Sequence, residues 1–430
     1  MRRRTLLAVN TSQSERMPNN MIVYKTSDES IIEPYFNESF GANLVHNIYI
    51  YGKGQMVFDG DVTRIGAGAF KEIVNITSIV IPDSITTIGD EAFRGCANLT
   101  SIEIPDSVTE IGSSIFYECD NLTNVVIGNG VTSIGDYIFY GCSSLINIEI
   151  PNNVTSIGYA AFYECSSLTS IEIPKNVTSI GDWALGYCSG LTSVVIGNSV
   201  TSIGNNAFDR CSKLTSIVIP DSVTTIGQRA FRLCGSLASI VIPDSVTSIG
   251  SETFYGCDSL TSIEIPNSVT SIEVGTFYSC ENLTSIVIGN NVTRIKECAF
   301  QFCSKLSNIQ IPNSVTSIGY YAFSNCTSLT SIIFGNNVLS IGNRAFDNCR
   351  GLTSIEIPDS VTSIEYHAFD GCLKLTSVYI KATTPPTLGN DAFISNASSR
   401  KIYVPRASVD AYKTAEGWSG YADAIEPYDF

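Results

Sequence analysis

The chain has 430 residues, 44% of them hydrophobic, and its 41 acidic and 25 basic residues give a formal net charge of −16. A negative charge of that size repels nucleic-acid phosphates and anionic membrane surfaces, so neither is expected as a partner. Along the repeats, lysine and arginine are scattered, and no basic stripe reverses the overall sign.

The chain begins with basic residues and a short apolar run, 5–9, which resembles the start of a secretory signal. A signal needs an apolar run of about 7 to 15 residues, and a membrane span needs about 20. We therefore expect a flexible tail over 1–19, with no export signal and no membrane span.

Residues 20–52 lack the repeat that fills the rest of the chain. Apolar and polar residues alternate over 21–25 and 47–51, which is typical of strands. We predict a β-rich N-terminal cap over 20–52. Such a cap would cover the apolar end and the open strand edge of the repeats that begin at residue 53.

A repeat of 23 residues organises the chain, because thirteen cysteines from Cys96 to Cys372 follow one another at that interval. Six further columns are apolar in nearly every copy and are predicted to face inward. In the copy at 99–121 they are Leu99, Ile102, Ile104, Val108, Ile111 and Phe116.

Each copy is predicted to form one coil. Ile102 and Ile104 flank a polar residue in a short strand, Pro105 ends it, and Gly112 lets the backbone turn towards one turn of helix. A coil this short cannot enclose a core alone, so copies must stack with like strands about 4.8 Å apart. The predicted fold is a repeat solenoid over 53–405, followed by a helical C-terminal cap over 406–430.

The repeat pattern LxxIxIPxxVxxIGxxAFxxC resembles the bacterial BspA-like leucine-rich repeat family. The final segment, with KATTPPTL and IYVPRASVDAYKTAEGWSGYADAIEP, is similar to the terminal cap of such proteins from gut Bacteroidetes. The resemblance implies a mostly β, right-handed, curved coil with a parallel sheet on its concave face and short helical turns or extended segments opposite. It also implies a secreted or cell-surface protein that binds proteins or glycans, host extracellular matrix among them.

The outward column of the predicted strands is the first candidate contact surface. Val195, Val218 and Val241 are consecutive in this column, with Glu172 and Glu264 on either side. Such an apolar strip with acidic borders could seat a partner. The alternative is that valine is simply a good strand former and glutamate a solubilising neighbour.

A second candidate is the tyrosine column on the turn side, Tyr117, Tyr140 and Tyr163. Tyrosines are enriched at interfaces. They also stack on one another, so the same column could serve only to stiffen the solenoid.

The sequence gives little support to catalysis. His46 and His367 lie at opposite ends of the repeats, so no triad is expected. Glu149 and Glu172 should lie about 5 Å apart on neighbouring rungs, a separation that suits a retaining glycosidase. A flat ladder offers no pocket for them, and we predict no enzyme and no cofactor.

The recurring cysteines are predicted to be buried free thiols, since parallel inward side chains have poor geometry for disulfides. Cys298 and Cys303 form the closest pair, and no metal-ligating cluster is evident. Two functions remain: a binding module for adhesion, and a structural repeat protein that assembles into larger particles. A monomer is favoured, and size in solution would separate the two.

Overall fold

The computed structural model describes residues 17–35 and 39–430, so residues 1–16 of the predicted tail lie outside the described part. The described repeats stack as a solenoid of parallel strands. Helices are few in this part of the chain, and none is both long and apolar enough to cross a membrane.

The longer strands form one face, here called the major ladder. Most neighbouring strands pair in parallel with a register of 23 residues, as Glu103 with Val126. The pairing is interrupted at intervals, for example between Ser193–Ile196 and Ser216–Val218, so this face consists of several short sheets. Ile102 and Ile104 are buried while Glu103 is exposed, as the alternating pattern predicts. The strands of the major ladder are Ile76–Val80, Ser101–Ile104, Asn124–Ile127, Asn147–Ile148, Ser170–Ile173, Ser193–Ile196, Ser216–Val218, Ser239–Val241, Ser262–Glu264, Ser285–Val287, Asn308–Gln310, Ser331–Ile333, Ser354–Ile357, Ser377–Ile380, Lys401–Pro405 and Ile425–Tyr428.

Two-residue strands form a second face, the minor ladder. Ile134, Ile157 and Ile180 continue it through single parallel bridges. Its strands are Arg64–Ile65, Thr87–Ile88, Glu110–Ile111, Ser179–Ile180, Ser202–Ile203, Thr225–Ile226, Ser248–Ile249, Ser271–Ile272, Arg294–Ile295, Ser317–Ile318, Ser340–Ile341, Ser363–Ile364 and Thr387–Leu388.

The third side of each coil is a hydrogen-bonded turn, here called the turn edge. The Glu91 and Phe93 amides donate to the carbonyls of Ser113 and Ile115 in the next coil, both at 2.9 Å. Glu91 and Gly95 have positive φ angles of 55° and 70°, and the equivalent residues of later coils repeat both angles. Two left-handed residues per coil keep these segments from continuing as helix.

A stack of phenylalanine rings runs through the core behind the turn edge. Phe70 to Phe162 stack rung on rung with centroids 5.2 to 5.6 Å apart. A second stack runs from Phe208 to Phe393. Leu185, fully buried, stands between the two stacks and interrupts the aromatic spine.

The column glycine has a role different from the predicted one. Gly112 is not among the residues with positive φ. A Cβ atom there would lie 2.4 Å from the Asp90 amide nitrogen, so glycine permits close approach of two coils rather than an unusual dihedral angle. Glu273 and Lys296 replace this glycine in consecutive coils and form an ion pair at 2.6 Å.

The N-terminal strands are arranged differently from the prediction. Leu44–Ile50 and Lys53–Phe58 form an antiparallel hairpin, as the glycine turn suggests. Met21–Thr26, however, inserts antiparallel between Lys53–Phe58 and Ile76–Val80. Lys53–Phe58, at the predicted start of the repeats, therefore does not pair directly with the major ladder, because a cap strand already occupies the edge of Ile76–Val80.

At the C-terminal end, the register shifts by one residue, so that Lys401 pairs with Ser377. The helical part is short: 3₁₀ turns at Arg406–Ser408 and Ser419–Ala424 flank one α-helix, Val409–Thr414. The segment is not wholly helical, since Ile425–Tyr428 adds a parallel strand. Trp418 is fully buried, and its indole Nε1–H donates to the Pro386 carbonyl at 2.7 Å.

Candidate binding surfaces

The three valines of the outward column lie side by side on the major ladder, and we call them the valine strip. Val218 pairs with Val241 in parallel register. Val195, Val218 and Val241 are exposed by 59%, 78% and 78%. Each valine lies between two residues whose side chains are buried in the core.

The acidic borders also lie where the sequence predicts them. Glu172 pairs with Val195 on one side, and Glu264 pairs with Val287 beyond the other. Glu149 is the residue after Asn147–Ile148, which pairs with Ser170–Ile171, so it is next to Glu172. All three glutamates are exposed on the open face of the ladder.

On the turn edge, Tyr117, Tyr140 and Tyr163 form a continuous stack. Their centroids are 4.5 and 4.9 Å apart, with ring planes 2° and 14° from parallel. The rings are half-buried, and burial raises the pKa of Tyr140 to about 12. This stacking is the arrangement expected of a column that stiffens the solenoid, the alternative to an interface role.

Arginines cover both ends of the tyrosine stack. The Arg94 guanidinium lies 4.9 Å from the centroid of Tyr117. At the other end, Tyr187 packs on Tyr163 at 5.1 Å, and Arg210 lies 5.1 Å from the Tyr187 centroid. The aromatic faces of the stack are thus occupied by neighbours, which leaves mainly ring edges for a partner.

Two cavities of about 610 and 400 Å³ open along the turn edge and share Ser143 and Glu164. Tyr187 and Arg210 line the larger one, and Tyr140 lines the smaller. Together they form a shallow groove of hydroxyls, carboxylates and aromatic edges beside the tyrosine stack.

A third cavity, of about 330 Å³, lies on the major ladder near its C-terminal end, and we call it the C-terminal slot. Ile333, Glu356 and Tyr379 occupy the outward column on three successive strands there. Lys381 forms an ion pair with Glu356 at the side of the slot. These residues were not predicted as a site, although an aliphatic, an acidic and an aromatic residue follow one another in the outward column.

The thiols of the cysteine column are buried, and their surroundings disfavour the thiolate form. All fourteen cysteines are free, and only Cys298 among them is partly exposed. Each column thiol donates to a carbonyl oxygen 26 residues earlier, as Cys96 Sγ does to Phe70 at 3.1 Å. Burial raises the pKa of Cys96 to about 12, which disfavours the reactive thiolate. Over residues 17–35 and 39–430, no group of histidine, cysteine and acidic side chains could hold a metal ion.

The most deeply buried carboxylate of the described ranges lies beside the turn edge. Asp209 is 1% exposed, and Arg232 Nη1 lies 3.5 Å from its Oδ2. Within the described ranges, Asp209 Oδ1 has no hydrogen-bond partner. Burial raises the pKa of Asp209, and the nearby arginines only partly oppose this effect.

The two histidines do not contact each other. His46 is exposed in the N-terminal hairpin, while His367 Nδ1 lies 2.9 Å from Asp370 Oδ2 in the turn of a distant coil. The pairing of His367 with a carboxylate three residues away is a local contact of the turn edge.

The repeats match a known protein family. The family described as BspA type leucine rich repeat region matches residues 63–192, 186–307 and 298–414. A search of curated proteins found no significant match.

Solved structures of leucine-rich repeat proteins are also similar to this chain. One from Bacteroides ovatus is 28% identical, with a TM-score of 0.68 over 82% of this chain and 95% of its own. One from Eubacterium ventriosum is 26% identical, with a TM-score of 0.50 over 73% and 89%. A leucine rich cell surface protein from Faecalibacterium prausnitzii is 28% identical, with a TM-score of 0.47 over 94% and 100%. The repeat geometry and the match over 63–414 together assign the fold: the chain belongs to the BspA-type leucine-rich repeat family.

Proposed function

We propose that this chain is a binding module that holds a protein partner against the major ladder and serves in adhesion at the cell surface. The valine strip is the observation that supports this most directly. Three consecutive rungs each expose an aliphatic side chain by more than half, on a face otherwise rich in serine and glutamate. A contiguous exposed apolar row on a sheet face is typical of a contact surface.

The charge around the valine strip indicates what kind of partner fits. Glu172 and Glu264 stand near its two ends, and the whole chain carries a net charge of −16. A partner with an apolar centre and basic borders is complementary to this arrangement. Electrostatic steering of such a partner speeds association and weakens as salt is added.

Binding fits the site better than catalysis does. The family is a repeat family that is not known for catalysis. Glu149 and Glu172, the carboxylates considered for glycoside hydrolysis, are exposed on an open face. Glycosidase carboxylates flank the scissile bond, whereas these two lie side by side on an open face.

A pull-down at physiological salt tests the proposal. The purified chain is presented to a panel of host extracellular-matrix proteins beside the triple variant Val195→Lys, Val218→Lys, Val241→Lys. We expect at least one matrix protein to bind the natural chain but not the triple variant, because three ammonium groups interrupt the apolar row.

The same coils provide a matched control. Ser202, Thr225 and Ser248 lie on the minor ladder of the three coils that carry the valines. Their triple replacement by lysine adds the same charge to the other face and should leave binding intact. Equal loss in both triple variants, or no binding by the natural chain, would count against the valine strip as the site.

Assembly of several copies is the second candidate function. Ile425–Tyr428 is the last strand of its sheet in the described part of the chain. Tyr428 and Phe430 beside it are exposed by 41% and 51%. Sedimentation velocity at rising concentration separates the two functions, since a monomer throughout would exclude assembly through this end.

A further inference from the structure

We propose that the C-terminal slot binds one pyranose ring of a neutral oligosaccharide whose ring hydroxyls are all equatorial. The ring would lie between Tyr379 on one side and Ile333 on the other, with its edge towards Glu356 and Lys381. This site is separate from the valine strip, and neither proposal depends on the other.

The spacing of the slot suits a six-membered sugar ring. Ile333, Glu356 and Tyr379 occupy the same outward column on three successive rungs. Glu356 pairs with Tyr379, whereas the strands of Ile333 and Glu356 belong to different sheets. Two paired-strand spacings, roughly 9.6 Å, are therefore the smallest backbone separation expected between Ile333 and Tyr379. A ring in van der Waals contact with both walls needs about 4.0 to 4.5 Å on each side. The cavity of about 330 Å³ leaves room for one such ring and its substituents.

The Tyr379 wall is held in place by aromatic packing. Its ring stacks on Tyr403 with centroids 4.8 Å apart and planes 15° from parallel. Tyr428 meets both rings edge-on, at 5.1 and 5.8 Å. Because Tyr403 covers one face of Tyr379, the opposite face is turned along the ladder towards the rung of Glu356.

The two walls are apolar, and the groups between them are polar. Ile333 is 59% exposed, so its side chain is available to close the slot. Glu356 accepts and Lys381 donates hydrogen bonds, and Ser331, Ser354 and Asn336 add short polar groups at the rim. An all-equatorial pyranose has this same division, with C–H bonds on both faces and hydroxyls around its edge.

The separation of apolar walls from polar groups between them also determines which sugars should bind. An axial hydroxyl would be pressed against Tyr379 or Ile333 without a hydrogen-bond partner, which is unfavourable. The Glu356–Lys381 pair is neutral overall, and the chain is acidic, so uronic acids gain no net attraction. Glucose- and xylose-based β-linked chains are therefore the expected class, and galactose-based chains should bind more weakly.

Isothermal titration calorimetry with cellohexaose, xylohexaose and β-1,4-galactohexaose tests the slot on the whole chain. We expect cellohexaose or xylohexaose to bind, and galactohexaose to bind at least several-fold more weakly. Tyr379→Ala should reduce affinity about tenfold, the scale of one aromatic contact. Absence of binding by both equatorial sugars, or equal affinity for galactohexaose, overturns the proposal.

A pair of lysine variants separates the slot from general damage to the ladder. Ile333→Lys places a charged chain against one wall, while Val287→Lys makes a similar change at a residue that is 58% exposed two rungs earlier in the same column. Loss of sugar binding only in Ile333→Lys supports the slot, and equal loss in both variants contradicts it. The valine-strip triple variant should retain sugar binding, so failure of one proposal is distinguishable from failure of the other.

Discussion

Tyr117 and Tyr140 lie face to face on the turn edge, with ring centroids 4.5 Å apart and planes 2° from parallel. A contact of this geometry is expected to stabilise the fold. A double-mutant cycle with Tyr117→Leu and Tyr140→Leu should give a coupling energy of about 0.5–1.5 kcal/mol in urea unfolding. The distant pair Tyr117 and Tyr278 serves as the control and should be additive. Additivity for the stacked pair as well would remove the structural role and favour an interface role.

Removal of one ring from the phenylalanine spine should have a local effect. Phe208 is fully buried and stacks on Phe231 at 5.3 Å. Phe208→Ala should cost about 3–5 kcal/mol, because it leaves a cavity in a packed core. Coils of a solenoid contact only their neighbours, so hydrogen exchange should rise first in the adjacent coils. Uniform loss of protection along the chain would contradict this.

The left-handed turn positions provide a paired test of backbone strain. Glu118 and Gly141 are equivalent residues of consecutive coils, with φ angles of 57° and 71°. Glycine adopts such angles without a Cβ penalty, which is about 1–2 kcal/mol for other residues. Gly141→Ala should therefore destabilise the fold by about 1 kcal/mol, and Glu118→Gly should be neutral or stabilising. Thermal unfolding measures the change in stability of each variant. A stability change of the same sign in both variants would show that the φ angle is not the cause.

Asp209 should make stability depend on pH in an unusual direction. Burial raises the pKa of its carboxyl in the folded chain. The folded state therefore retains a proton that the unfolded state has released, and this group's contribution falls as pH rises from the unfolded pKa through the folded one. Asp209→Asn should be more stable than the natural chain at pH 7, and the advantage should shrink towards pH 3. A larger advantage at pH 3 than at pH 7 would reverse the sign and contradict the assignment.

One cysteine should react with alkylating reagents faster than the other thirteen. Cys298 is the partly exposed thiol, and the column cysteines are buried. Brief treatment with iodoacetamide at pH 8 should modify Cys298 ahead of the others, whereas denatured chain should take up fourteen equivalents. Peptide mass spectrometry identifies the site, and Cys298→Ser is the control. Rapid modification of a column cysteine such as Cys211 would show that the coils open.

The columns of the repeat could be predicted because each has one environment in every coil. Ile102 and Ile104 face inward, Glu103 faces out, and the valine strip lies where the register places it. A parallel ladder with a fixed period makes residues 23 apart neighbours, so sequence spacing translates directly into distance. The shift of one residue before Lys401 could be predicted for the same reason.

The ends and turns could not be predicted in this way. Alternation shows that Met21–Thr26 is a strand but does not show which edge it joins, so its insertion beside Ile76–Val80 was missed. Glutamate, tyrosine and tryptophan occupy left-handed positions such as Glu118, Tyr137 and Trp183, where no glycine marks the turn. Tyr379, one wall of the C-terminal slot, packs against Tyr428, whose strand lacks the repeat pattern, so this contact could not be predicted from the repeat.

Leu185 gives the solenoid an internal weak point. With a continuous aromatic spine, separation of coils would begin at the two ends, where a coil has only one neighbour. The leucine carbonyl still accepts the Cys211 thiol at 3.2 Å, but its side chain has no ring to stack on Phe162 or Phe208. Under a pulling force, we expect the coils around 162–208 to separate before the terminal coils do. The chain would then behave as two stiff segments that bend relative to each other at Leu185.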